Sequence, residues 1–331
     1  MTFAHSPISN SEPLLSVRRL RKHFDISGNV ISRLMLGKRL VKAVDDVSFD
    51  VVRGETIALV GESGSGKSTT ARLIARLLPA DAGEVLFGGR DALKASSREM
   101  RRIRKDLQII FQDPFASLNP RMQAQEIIGR SLTLHFGMQG EARKAKVVDL
   151  LEQVGLSAEH LSRYPNELSG GQRQRVSIAR ALASEPLLVV ADEPVSSLDV
   201  SIQAQVLDLL ERLKLRYQLS MIFITHDLSV AEYIADRVAV LYGGKLMEVG
   251  PVDDILQRPL HPYTAALLDA RPKFNRQGAW RLLQGEPAIP LNPAPGCRFA
   301  GRCPLRVAAC SESEIPTLEK RPGHHVACIR V

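Results

Sequence analysis

The stretch Gly61-Glu62-Ser63-Gly64-Ser65-Gly66-Lys67-Ser68 restricts this chain more than any other. It follows the apolar run Thr56-Ile57-Ala58-Leu59-Val60 and precedes Thr69 to Leu78, whose apolar residues have helical spacing. Strand, glycine loop and helix in that order are what a phosphate-binding loop of the G-x-x-x-x-G-K-[ST] type requires. Its glycines let successive backbone N–H groups curl round an anion, and the helix that follows points its positive end at the same place. In such a loop Lys67 reaches the β- and γ-phosphates and the Ser68 hydroxyl is placed for Mg²⁺. The remaining loop residues and Thr69 complete the cradle.

A chain of 331 residues can bury one large core with an appendage, or two modest cores. The longest apolar run, Pro186 to Ala191, is far short of the about 20 residues that cross a bilayer. Met1 to Pro13 is polar and lacks the apolar core of a signal peptide, so a cytoplasmic location is expected. The formal charge of +8 is dispersed; its densest cluster, Arg98 to Lys105, fits one solvated helix face. No aromatic-interleaved motif accompanies it, so nucleic acid is not expected as a partner. An acidic inner leaflet nearby accounts for the balance equally well.

Residues 14–27 alternate as an edge strand and turn, and Ala43 to Val52 alternates as its antiparallel partner. Gly28 to Lys42 between them resembles an inserted loop. Glu84 to Gly89 is expected as a strand, Ser96 to Arg104 as a basic helix, and Leu107 to Phe111 as a buried strand ending at Gln112. From Phe115 to about Arg180 the spacing becomes helical, with Val147, Leu150, Leu151 and Val154 in one stripe. Ser169, Gly170, Gly171 and Gln172 open a helix and offer a second anion site. The run Leu187 to Ala191 reads as a central strand that delivers Asp192 and Glu193 at its carboxyl end. Ser196 to Asp199 then caps a helix over 201–216, and Met221 to Thr225 is a further strand ended by His226.

Taken together, these motifs resemble the nucleotide-binding subunits of ABC transporters over roughly Leu14 to Gly250. Walker A is Gly61 to Ser68, the Q-loop glutamine Gln112, the signature Leu168 to Gln172, Walker B ends on Asp192 and Glu193, the D-loop is Ser197 to Asp199, and the switch histidine is His226. The resemblance implies an α/β fold: a P-loop, RecA-like core with an antiparallel β subdomain and a helical subdomain inserted at about 115–180. It implies that Asp192 holds Mg²⁺ through water, Glu193 acts as general base on the attacking water, and His226 orients the γ-phosphate. Gln112 would sense Mg²⁺ and contact the membrane subunits. Phe24, with His23 as its rival, would stack on adenine. Ser169, Gly170, Gly171, Gln172 and Asp199 would contact the ATP held by the Walker A loop of a second, facing cassette.

Beyond Gly250 strand spacing is lost and proline rises. Leu260-His261-Pro262-Tyr263 opens a helix with Pro262 in its first turn. This segment, and Phe111 to Arg121, resemble the oligopeptide, dipeptide and nickel importer branch, and the Gly28 to Lys42 insertion is similar to that of its second ATPase subunit. The domains implied are a tail at 1–13, a nucleotide-binding domain at 14–250 and an extension at 251–331. The partners implied are a second ATPase chain, with a heterodimer favoured, two membrane permeases and an extracytoplasmic binding protein. The subunit would lie peripherally on the cytoplasmic face of the inner membrane and power peptide uptake. The alternatives are nickel or another small solute as cargo, and a soluble, non-transport ABC ATPase.

The extension holds Cys297, Cys303, Cys310 and Cys328, separated by five, six and seventeen residues. Four thiolates in a loop-rich segment suit a [4Fe–4S] cluster or tetrahedral zinc, with unligated thiols as the third possibility. The lack of a tight Cys-x-x-Cys pair counts against zinc, and the family resemblance favours the cluster. His324 and His325 are expected on the surface.

Overall fold

The computed structural model describes residues 12–28, 38–270 and 291–331. Most of the N-terminal tail and of the Gly28 to Lys42 insertion lies outside the described residues.

Two sheets carry the fold. The smaller is antiparallel and contains β1 (Leu15–Asp25), β2 (Leu40–Val51), β4 (Ala82–Phe87) and β5 (Arg90–Asp91) in the order β2-β1-β4-β5. The pairing of residues 14–27 with 43–52 is as the alternation predicts, but β1 is not an edge strand. It is hydrogen-bonded on both sides, to β2 and to β4, and Leu15, Val17 and Leu20 are fully buried. Alternation reports that one face is buried; it says nothing of how many neighbours a strand has.

The larger sheet contains β3 (Thr56–Val60), β6 (Leu107–Ile110), β7 (Leu188–Asp192), β8 (Ser220–Thr225), β9 (Arg237–Tyr242), β10 (Lys245–Pro251), β11 (Leu318–Arg321) and β12 (His324–Val326). Their order is β11-β12-β10-β9-β3-β8-β7-β6. The strands from β6 to β9 run parallel, and β10, β12 and β11 continue the sheet antiparallel. Every residue of β3, β7 and β8 is buried, as expected of strands covered on both faces. Because β6, β7, β8 and β3 are adjacent and parallel, their carboxyl ends form a single row. The chain leaving each of these strands therefore emerges at one edge: Gln112 after β6, Glu193 after β7, His226 after β8 and the glycine loop after β3.

Helices Ala124–Phe136, Gly140–Gln153 and Gly170–Leu182 pack together, and Val147, Leu150, Leu151 and Val154 all enter the same apolar cluster. Each fully buried aliphatic side chain of that stripe contributes roughly 1.5–3 kcal/mol. No described helix is long and apolar enough to cross a membrane.

The extension departs from the sequence expectation. Among the described residues two strands follow Gly250, and their hairpin β11–β12 adds to the core sheet at β10. His324 is not on the surface: it is fully buried on β12, with Nε2 2.7 Å from the equally buried Glu248 Oε1. The buried carboxylate pairs with one ring nitrogen, while Nδ1 is buried without a hydrogen-bond partner. Tyr242, Tyr263 and Phe299 complete the junction, with ring centroids 4.6–5.4 Å apart.

Candidate nucleotide site

At Gly61 φ is 152°, and a Cβ there would lie 2.2 Å from the Leu241 carbonyl oxygen. Gly66, at φ 103°, is the N-cap of helix Lys67–Ile74, and its Cβ would lie 2.3 Å from the Ala43 oxygen. Only glycine lets the loop pass this close to β2 and β9. Lys67 is 5% exposed, and its Nζ donates to the carbonyls of Gly61 (2.8 Å) and Glu62 (2.9 Å). Burial pulls its pKa down, against the opposing pull of Glu193, Asp192 and Glu62. An ammonium held so dry is poised to gain from a polyanion.

Ser68 Oγ donates to Asp192 Oδ1 at 2.7 Å. Burial pushes the Asp192 carboxyl up, outweighing the Ser68 hydrogen bond and the Arg72 charge. A buried carboxylate short of positive charge, beside a hydroxyl, is a donor set that fits Mg²⁺. Glu193 sits just past the end of β7 with φ 45°, a strained left-handed conformation for a non-glycine residue. Its Oε2 accepts from Gln112 Nε2 at 3.1 Å and lies 3.4 Å from His226 Nδ1. A cavity of ≈ 830 Å³ is lined by the whole of Gly61 to Thr69 together with Gln112, Glu193 and His226. The space suits a nucleoside triphosphate: it is lined by the phosphate loop with Lys67 and by a carboxylate with two polar neighbours.

Other expected residues lie apart from this cavity. Ser169 caps helix Gly170–Leu182, and its hydroxyl and backbone exchange hydrogen bonds with Gln172 N (3.3 Å) and Oε1 (2.9 Å). Ser169, Gly170 and Asp199 are exposed, and none of Ser169 to Gln172 lines the cavity. Phe24 is 37% exposed at the end of β1 and does not line it either, while His23 is turned to Asp45 at 3.3 Å.

The four cysteines are all free. They lie close enough that the other three each push Cys297 up, behind the larger effect of burial, to about 11. Among the described residues, however, no group of three or more His, Cys, Asp and Glu side chains is arranged to hold a metal ion. The expected [4Fe–4S] or zinc ligand set is therefore not found in this arrangement. Cys310 and Cys328 are buried, and Cys297 and Cys303 pack against the apolar cluster around Tyr263 and Phe299. Burial of this kind favours the neutral thiol.

Sequence reasoning missed residues that approach the loop from afar. Ala43 and Leu267 line the cavity. Tyr263 Oη accepts from Glu62 N at 3.0 Å, and the Arg302 guanidinium donates to both Glu62 carboxylate oxygens at 2.7 and 3.2 Å. The His-Pro-Tyr segment drew notice only through resemblance, and no local pattern marks Arg302.

Fold and site together define a P-loop nucleotide-binding cassette. Residues 44–196 match the ABC transporter family, and residues 247–310 match the oligopeptide/dipeptide transporter C-terminal region. The oligopeptide transport ATP-binding protein AppF of Bacillus subtilis is 46% identical, over 97% of this chain and 98% of its own. The dipeptide transport ATP-binding protein DppF of Escherichia coli is 44% identical, over 97% and 95%. A dimeric ABC cassette solved in a post-hydrolysis state with ADP and Pi superposes with a TM-score of 0.63 at 28% identity, covering 72% of this chain and 98% of that one. The chain belongs to the ABC transporter ATP-binding proteins that carry the oligopeptide/dipeptide C-terminal region. It is thus a transporter-type ATPase cassette.

Proposed function

We propose that this chain is the ATP-hydrolysing subunit of an importer that takes up di- and oligopeptides across the inner membrane. The observation that carries the reading is the row of strand ends. It brings Lys67, Ser68 and the Glu193–Gln112–His226 group to one cavity, with Asp192 hydrogen-bonded behind Ser68, in a chain whose extension matches that of peptide transporters. In this reading Gly61 to Thr69 cradle the triphosphate and Lys67 neutralises its β- and γ-oxygens. Ser68 and Asp192 would hold Mg²⁺, which when bound offsets the charge that develops on the phosphates. Glu193 takes the proton of the attacking water, with Gln112 and His226 fixing its carboxylate. Phe24, exposed near the end of β1, stacks on adenine.

Ser169, Gly170, Gly171, Gln172 and Asp199 serve the ATP of a facing cassette, because they lie outside this chain's own cavity. The facing cassette is a related second ATPase chain. The pair docks on two permease subunits at the cytoplasmic face, supplied by an extracytoplasmic binding protein. Reconstitution of this chain with those partners tests the reading. ATPase activity should rise when peptide-loaded binding protein is added and should not rise with nickel-loaded or empty binding protein. Equal stimulation by all three would overturn the peptide assignment.

A further inference from the structure

The extension grips one residue of the phosphate loop, Glu62, at two points. Tyr263, fully buried, accepts the Glu62 N–H through its hydroxyl. Arg302 forks the Glu62 carboxylate, and its Nη1 also donates to Tyr242 Oη at 3.2 Å. The Arg302 and Glu62 side chains are only 11% and 19% exposed, so their pairing is weakly screened. Leu267, from the helix that begins at Pro262, closes the same cavity. Glu62 itself is a liability in a phosphate loop. Its carbonyl takes a hydrogen bond from Lys67, and its carboxylate adds a negative charge on the loop where a triphosphate would sit.

We propose that Arg302 is a positioning residue for ATP binding: its guanidinium neutralises the Glu62 carboxylate and holds it off the triphosphate. The proposal rests on the nucleotide reading of the cavity. Arg302 does not line the nucleotide cavity, and it acts through Glu62, which does. A bidentate Arg–carboxylate pair suits the task because it fixes direction as well as charge. The C-terminal extension thereby becomes part of the ATP site, although its strands lie at the far side of the sheet from β7.

The test is Mg²⁺-ATP binding to the full-length chain by titration calorimetry. Arg302→Met keeps the packing of the side-chain stem and removes the charge. We expect it to weaken ATP binding roughly five- to tenfold, given a partly buried pair. Arg302→Lys should stay within about twofold of the wild type, since the charge remains. In a Glu62→Gln background, Arg302→Met should change the affinity by less than about twofold, because no carboxylate is left to repel the phosphates. In the assembled transporter the KM for ATP should rise while kcat holds. An equal loss in both Glu62 backgrounds, or no loss in either, overturns the proposal. Lys67→Ala in the same assay separates the two levels: if it binds ATP normally the nucleotide reading fails, and if it does not while Arg302→Met is neutral, only the role of Arg302 fails.

Discussion

Glu248 is a fully buried carboxylate on β10 that accepts three hydrogen bonds: Oε1 from His324 Nε2 and Leu260 N, both at 2.7 Å, and Oε2 from His261 N at 3.0 Å. It ties the hairpin strand β12 to the turn that presents His261, Pro262 and Tyr263. Glu248→Gln is the informative perturbation. A carboxylate accepts at both oxygens, whereas an amide has one accepting and one donating end. Whichever way the amide turns, its NH₂ meets an N–H that has no other role than to donate. With the NH₂ turned to His261 N, one hydrogen bond is lost and two donors oppose each other, a cost of about 2–3 kcal/mol. Glu248→Ala orphans all three donors and leaves a cavity, and should cost about 4 kcal/mol. Urea unfolding followed by far-ultraviolet circular dichroism reads both. Limited proteolysis should cut the Glu248→Gln protein first near residues 258–262 and in the C-terminal hairpin. A Glu248→Gln protein with the wild-type urea midpoint would refute the claim that this carboxylate accepts at both ends.

Three shorter predictions concern the phosphate loop and its acid. Burial raises the folded pKa of Asp192 above its ordinary 3.8, so between those values the folded chain holds more proton than the unfolded one. Asp192 therefore destabilises the nucleotide-free protein increasingly as pH rises through that window, and the cost is complete above it. Asp192→Asn should raise the melting temperature in EDTA at neutral pH, with the gain shrinking as pH falls towards 3.8, while Mg²⁺-dependent ATP binding is lost; a lower melting temperature contradicts this. Gly66→Ala forces a Cβ to within 2.3 Å of a backbone oxygen at positive φ, and calorimetry should show at least about 2 kcal/mol of destabilisation together with lost ATP binding. Gly64→Ala, at φ 76° with open space around its Cβ, should show only the left-handed backbone cost of about 1–2 kcal/mol in urea unfolding.

The parts of the site visible in the sequence are those whose residues lie within one strand and its exit. Gly61 to Ser68, and Asp192 with Glu193, announce themselves because an apolar run of strand length precedes each. The family order of motifs supplied Gln112 and His226, and adjacency of β6, β7 and β8 explains why these meet Glu193 in space. Local pattern could not reach the extension. β11 reads Leu318-Glu319-Lys320-Arg321, a polar strand only four residues long with three of its side chains exposed, so no alternation marks it. His324 looked like a surface residue because its partner, Glu248, lies 76 positions away. The Tyr263 and Arg302 contacts to Glu62 span 201 and 240 positions. Contacts of that separation are fixed by the docking of the extension on the Tyr242–Phe299 cluster, and no window of sequence contains them.

The central claim is that ATP is held between the Lys67 loop of one cassette and the Ser169 helix tip of its mate. Retention of radiolabelled ATP by the assembled transporter after rapid desalting tests it most directly, with Glu193→Gln slowing hydrolysis by about 10²–10⁴-fold. The account predicts that the Glu193→Gln complex retains ATP and that adding Ser169→Arg abolishes retention, although the isolated Ser169→Arg chain binds ATP with wild-type affinity. Undiminished retention with Ser169→Arg would mean that one cassette holds its nucleotide alone, and would contradict the account.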